Sequence, residues 1–186
     1  MKIELKRQII HILLGIFYIT LFIFLEQYTA ILAIAIIFGI GSFFSYTHTR
    51  NGIPFLQKIL DEVQREKEIN IPGKAAMHFT LGILLSAIIF SQTDKIITIG
   101  AITALTFGDG FSTLIGKLVG KFKTFGGKTL EGTIGGVIAA WIALMIFFQL
   151  ETALAAAIFA MIAEYLPGND NYTIPLAAGL VLFLLV

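Results

Sequence analysis

The sequence contains no cysteine, which excludes disulfides, thiolate metal sites and cysteine nucleophiles. Charge is scarce too. Only 13% of the 186 residues are charged, against about a quarter in an ordinary soluble domain. The three histidines, His11, His48 and His78, are scattered and lack the close spacing of a zinc motif. There is no G-x-G-x-x-G dinucleotide fingerprint. GGKT at Gly126–Thr129 fails as a P-loop, because Phe122 stands where the pattern needs glycine and no strand signal precedes it. The formal net charge is +1. No basic excess marks a nucleic-acid partner, and only the placement of the charges carries information.

Apolar residues are abundant: 57% of the chain is hydrophobic and the mean hydropathy is +0.90. This composition predicts an integral membrane protein. The expected fold is all-α, a polytopic transmembrane helical bundle of about seven spans forming one domain over residues 1–186. About 20 apolar residues cross the hydrocarbon core. Seven candidate runs occur at 8–25, 28–46, 76–91, 96–115, 131–149, 152–165 and 173–186, of which the third, sixth and seventh are short. The first run follows basic residues, but no small-residue cleavage site comes after it, so it reads as a retained span.

Basic residues set the expected orientation. Lys2, Lys6 and Arg7 precede the first run; Arg50, Lys58, Arg65, Lys67 and Lys74 lie between the second and third; Lys117, Lys121, Lys123 and Lys128 lie between the fourth and fifth. Of the thirteen basic residues, only Lys95 falls on the other side. The N-terminus is therefore expected in the cytoplasm of a multi-pass cell-membrane protein. Asp109, Glu131, Glu164, Asp170, Asn171, His11 and His78 then all fall near the cytoplasmic ends of their runs. Between the second and third runs, Phe55, Leu56, Ile59, Leu60 and Val63 recur at helical spacing with charges on the other face. Residues 54–68 thus read as an amphipathic helix on the inner membrane surface, and NIPGKA at 70–75 turns the chain into the next span.

The most informative stretch is Gly108–Gly136. It holds half of the chain's 18 glycines, four lysines, Asp109 and Glu131. A membrane helix gains nothing from an unpaired aspartate, so an intramembrane acid marks a functional site. Asp109 lies about six residues before the end of its run, roughly 9 Å deep at 1.5 Å per residue. Its neighbours Gly108 and Gly110 predict a local break in the helix, tolerated where it lines a cavity. Glycines let backbone N–H groups approach a ligand, and lysines attract a polyphosphate. The loop at 116–130 is the expected nucleotide segment, with Gly116, Lys117, Lys121, Lys128, Thr129 and Glu131 as its candidates. Asp109 and Glu131 are candidate Mg²⁺ ligands, since that ion takes one or two carboxylates together with phosphate oxygens. Two bland readings stand beside these. Basic loops are ordinary on the inner face, and Gly116/Gly120 and Gly132/Gly136 have the spacing of close helix contacts.

At the N-terminus Arg7 and His11 share a helix face, with Lys6 beside them. These residues are either site groups or an anchor to lipid headgroups. Near the C-terminus AEYLPGNDNYTIP crowds acids into one short loop. There Asp170 or Asn171 completes a metal shell, or Asn169 and Asp170 cap the last helix.

Three of these segments, in order, resemble the polyprenol kinases: dolichol kinase, phytol kinase and the CTP-dependent diacylglycerol kinase of fungi, with small archaeal relatives. ELKRQIIH is similar to that family's basic-pair-then-histidine opening. GDGFSTLIGKLVGK with GGKTLEGTIGG is similar to its nucleotide-binding signature. AEY with DNYTIP is similar to its closing acid and Asp-Asn-x-x-x-Pro element. Phosphatidate cytidylyltransferases and CDP-archaeol synthases share the central motif, but this chain lacks their Lys-Asp, Pro-Gly-His-Gly-Gly and Asp-Arg ending. The resemblance implies phosphoryl transfer from CTP, with Mg²⁺, to the hydroxyl of a membrane lipid alcohol. It places Lys6, Arg7, Asp109 and Gly116 on functional positions and Lys128, Thr129 and Glu131 on the nucleotide segment. The expected partners are the lipid alcohol, a nucleoside triphosphate and membrane lipids; whether a second copy of the chain joins them in a homo-oligomer is left open by the sequence. Two rival expectations are a cytidylyltransferase making a CDP-activated lipid and a small transporter. The second demands polar residues along a whole path, and the outer halves of the runs have almost none.

Overall fold

In the computed structural model, residues 2–54, 60 and 71–186 are described. Among them the structure is helical throughout, apart from one isolated bridge between Lys123 and Thr129. The elements are α1 (Lys2–Phe24), α2 (Gln27–Asn51), α3 (Lys74–Ile89) and α4 (Lys95–Thr103), then a π-helical segment (Ala104–Asp109) leading into α5 (Gly110–Val119). A short 3₁₀ turn (Phe125–Gly127), α6 (Leu130–Leu144), α7 (Leu150–Ala163) and α8 (Asp170–Leu185) follow. The expected amphipathic helix at 54–68 lies outside the described residues except at Pro54 and Leu60.

Among the described residues, three helices are long and apolar enough to cross a membrane: Ile3–Phe24, Gln27–Asn51 and the continuous rod Lys95–Val119. The other four, α3, α6, α7 and α8, are apolar but shorter, at 10–17 residues. The run expected to extend to residue 149 stops as a helix at Leu144. Residues 145–148 turn, and Phe147 and Phe148 pack back on the core. The Phe148 ring fills the space that Gly100 leaves open; a Cβ there would approach Phe148 Cε2 to 2.7 Å.

The rod is the axis of the molecule. Its central window is 78% buried, against 17% for α2. Helices α1, α6, α7 and α8 pack around it, and α3 closes the side between α2 and α8. Small residues allow this closeness. Gly108 opposes the sulfur of Met161 on α7, and Gly136 opposes the Gly108 carbonyl and Ser112. Gly132 and Gly116 face one another where α6 meets α5. These contacts fit the small-residue mode of membrane-helix packing, in which backbones approach closely.

The helix irregularity expected at Asp109 takes a specific form. The rod stays continuous but widens into one π-helical stretch that ends on Asp109 itself. Such stretches in otherwise regular helices are frequent at functional sites. Thr103 and Thr106, within or beside it, return their hydroxyls to carbonyls four residues back, at 2.7 Å each.

Candidate functional site

One end of the bundle gathers the polar side chains. A cavity of about 560 Å³ opens there between the start of α1, the start of α3, the end of the π segment and the 168–171 turn. Its lining includes the polar side chains of Arg7, His11, Asp109, Asp170 and Asn171 and the apolar side chains of Ile10, Leu14, Leu60 and Phe79.

Asp109 is held at the bottom by the rod. His11, one turn along α1 from Arg7, places Nε2 3.8 Å from Asp109 Oδ2 and 3.5 Å from the Leu105 carbonyl oxygen. The Phe79 ring packs on the imidazole at 4.2 Å between centroids. Gly110 makes room for this, since a Cβ there would lie 3.1 Å from Ile12 and 3.6 Å from His11.

Beside Asp109, three further charged groups interlock. Lys128 Nζ donates to Glu164 Oε1 and to Asp170 Oδ2, each at 2.8 Å. Ser112, one turn beyond Asp109 on α5, donates to the same Glu164 oxygen at 2.7 Å. Burial pulls the Lys128 ammonium down, but the carboxylates of Asp170 and Glu164 outweigh that and hold it well above the ordinary lysine range. Glu164 has no side-chain exposure, and its Oε2 is buried without a hydrogen-bond partner. A buried carboxylate oxygen without a donor is costly, so this edge of the cluster is chemically unfinished. It fits a bound cation or a ligand donor.

Lys128 reaches this position from a tongue, residues 120–129, joining α5 to α6. The tongue is folded by backbone pairing: Thr124 N–H donates to the Lys128 carbonyl, and Leu130 N–H to the Phe122 carbonyl. Gly126 and Gly127 turn it with φ of 68° and 79°, in the left-handed region. Glu131 secures its base, accepting from the backbone N–H groups of Lys121 at 3.1 Å and Phe122 at 3.2 Å. Thr129 caps α6, accepting from Gly132 N–H at 3.2 Å. Tyr165 ties the tongue to α6, with its hydroxyl 3.1 Å from Thr124 and 2.5 Å from Thr133.

The structure thus brings together Arg7, His11, Asp109, Lys128 and Asp170 from the sequence candidates. Glu131 is placed elsewhere, on the tongue's backbone, and it does not line the cavity. Lys117 pairs with Glu4 on α1, and Arg7 contacts Glu4 at 3.3 Å. Lys6 and Lys121 lie on exposed surface outside the cavity lining. Gly108, Gly116 and Thr129 serve helix contacts and the α6 cap. Among the described residues, no three His, Asp or Glu side chains converge tightly enough to form a self-sufficient metal cage. The carboxylates facing the cavity suit the other mode, in which one or two protein carboxylates share Mg²⁺ with phosphate oxygens and waters.

Four residues of the site, Glu164, His78, Tyr172 and Ser112, receive no binding or catalytic role from the residue pattern alone. Glu164 carries the same signal as Asp109, an acid at the end of an apolar run, but linear spacing does not show which lysine it meets. His78 and Tyr172 hydrogen-bond to each other at the cavity's edge, joining α3 to α8 across 94 residues. Ser112 gave no signal beyond lying in the glycine-rich stretch.

Fold and site together describe an all-helical protein with membrane-length apolar helices and a charged cavity at one end of its central rod. A protein of Methanocaldococcus jannaschii, described as uncharacterized protein MJ1137, is 30% identical over 184 residues, covering 96% of this chain and 92% of that protein. The chain belongs to the family of that archaeal protein. No family model matches the sequence, and no solved structure matches it.

Proposed function

We propose that this protein is a polytopic membrane phosphotransferase of the polyprenol-kinase type. It spans the membrane about seven times, with the N-terminus and the cavity on the cytoplasmic side. It transfers the γ-phosphoryl group of a nucleoside triphosphate, CTP by family resemblance, to the hydroxyl of an isoprenoid alcohol such as a polyprenol, dolichol or geranylgeraniol. The observation that carries this reading is the mixed lining of the cavity. Asp109, Asp170, Lys128 and Arg7 line or border it with groups suited to phosphates and a cation, while Ile10, Leu14 and Phe79 add apolar surface suited to a lipid chain.

In the reaction the alcohol oxygen forms a bond to the γ-phosphorus, and the bond from that phosphorus to the bridging oxygen breaks, releasing the nucleoside diphosphate. Such transfers are accelerated mainly by positioning and charge stabilisation. Mg²⁺ would be held by Asp109 and Asp170 together with the nucleotide, and it supplies charge neutralisation on the phosphates. The chain's own groups do the rest. Arg7 and Lys128 offset phosphate charge. Asp109, adjoining His11, is placed to take the hydroxyl proton where it does not ligate the metal. The rod and the apolar side chains of the lining keep bulk water from the acceptor oxygen.

The test is a donor-and-acceptor screen of purified protein in mixed micelles with γ-labelled CTP or ATP and a panel of lipid alcohols. Label is expected in a phosphorylated lipid, with a nucleoside diphosphate released. Release of pyrophosphate with a cytidylated lipid would replace this reading by the cytidylyltransferase. Nucleotide-independent ion flux in liposomes, without transfer to lipid, would replace it by a transporter.

A further inference from the structure

The tongue carries a second feature that the cavity does not use. Phe122 and Phe125 stand out from it, 69% and 88% exposed. The backbone beneath them is fixed by the two tongue hydrogen bonds, the Glu131 clamp and the Tyr165 bridge. Ordered chain of this kind does not ordinarily hold two aromatic rings in water. The rings do not stand alone. Leu118 and Val119 at the end of α5, Leu130 at the start of α6 and Leu166 beyond α7 are also exposed, so the patch continues the apolar flank of three helices. Lys121 and Lys123 alternate with the rings, and neither forms an ion pair with a described acidic side chain. The nearest acid, Glu131, is turned onto the tongue's own backbone. Lys123, Thr124, Phe125 and Tyr165 together line an open depression beside the ring.

We infer that the tongue is a membrane-docking element. Phe122 and Phe125 insert at the level of the lipid headgroups, and Lys121 and Lys123 bind the phosphates of anionic lipids in the same leaflet from which α5 and α6 emerge. Alternating basic and aromatic residues suit that interface, where rings bury their apolar body and ammonium groups meet lipid phosphate. The patch's continuity with the exposed helix flanks, and two exposed lysines that form no ion pair with a described acid, select a lipid surface as its occupant. Because Lys128 lies at the tongue's base, docking also fixes the loop that carries it into the Glu164–Asp170 pair. The inference requires the chain to cross a membrane but not the kinase reading, and its test uses no enzymatic readout.

Absence of cysteine in the sequence makes that test direct. Phe125→Cys in the full chain, labelled with an environment-sensitive nitrobenzoxadiazole, is reconstituted in phosphatidylcholine vesicles with and without phosphatidylglycerol. The expected result is a blue-shifted label in the anionic vesicles, shielded from iodide and quenched by shallow doxyl lipids. Lys121→Gln and Lys123→Gln should each weaken the docking equilibrium by about fivefold, as high salt also should. Equal iodide access in both vesicle types would overturn the inference. So would shielding that is indifferent to lipid charge but rises with protein density, which would assign the patch to a second copy of this chain.

Discussion

Replacing Lys128 by methionine is the sharpest test of how the site is built. The ammonium is shared by Glu164 and Asp170 at 2.8 Å each, and Glu164 is fully inaccessible. Methionine keeps the length of the stem and removes the charge. Glu164 is then left buried with Ser112 as its remaining donor. Removing one partner of a buried ion pair costs about 3–5 kcal/mol. Lys128 keeps some solvent access and Asp170 more, so the lower end, about 3 kcal/mol, applies. Glu164→Gln should restore most of that loss in the double variant, because a neutral amide no longer requires the ammonium. A coupling of about 2 kcal/mol is expected from the double-mutant cycle. The assay is unfolding in mixed detergent micelles followed by helical circular dichroism. The pH dependence has a fixed sign. A lysine whose folded-state affinity for its proton is raised contributes its full stability below the unfolded value, about 10.4, and loses it only as pH rises through the folded value. The gap between wild type and Lys128→Met should therefore be constant from neutral pH to about pH 10 and narrow above it. A Lys128→Met protein as stable as wild type, or a double variant whose loss is the simple sum, would refute the buried-pair account.

Asp109→Asn should abolish phosphoryl transfer in the lipid-alcohol assay while leaving the helical spectrum and the elution profile unchanged, since the amide fits the same space. Glu131→Gln should weaken the clamp on the tongue, read as faster hydrogen exchange at the Lys121 and Phe122 amides with little change elsewhere. Gly136→Ala would place a methyl group 2.8 Å from the Gly108 carbonyl and 2.9 Å from Ser112 Cβ. It should cost about 1–3 kcal/mol in the same detergent unfolding assay.

The sequence by itself determined the helical class and the apolar helices near their observed places. Scarce charge and long apolar runs leave the backbone little choice, because every N–H and C=O shielded from water needs an internal partner. It also singled out Asp109, because an acid is conspicuous in such a run, and it anticipated the irregular helix there from the flanking glycines. It did not decide who meets whom. Asp109 and Glu131 looked like a pair because they share one glycine-rich stretch, yet the tongue's reversal at Gly126–Gly127 carries Lys128 toward Glu164 and Asp170 and leaves Glu131 on the tongue's own backbone. Likewise, several of the glycines that suggested a phosphate cradle, Gly108, Gly116, Gly132 and Gly136, are placed where helices touch. Those assignments belong to tertiary structure because they join residues 36 to 94 positions apart, brought together by helix packing that local pattern does not encode.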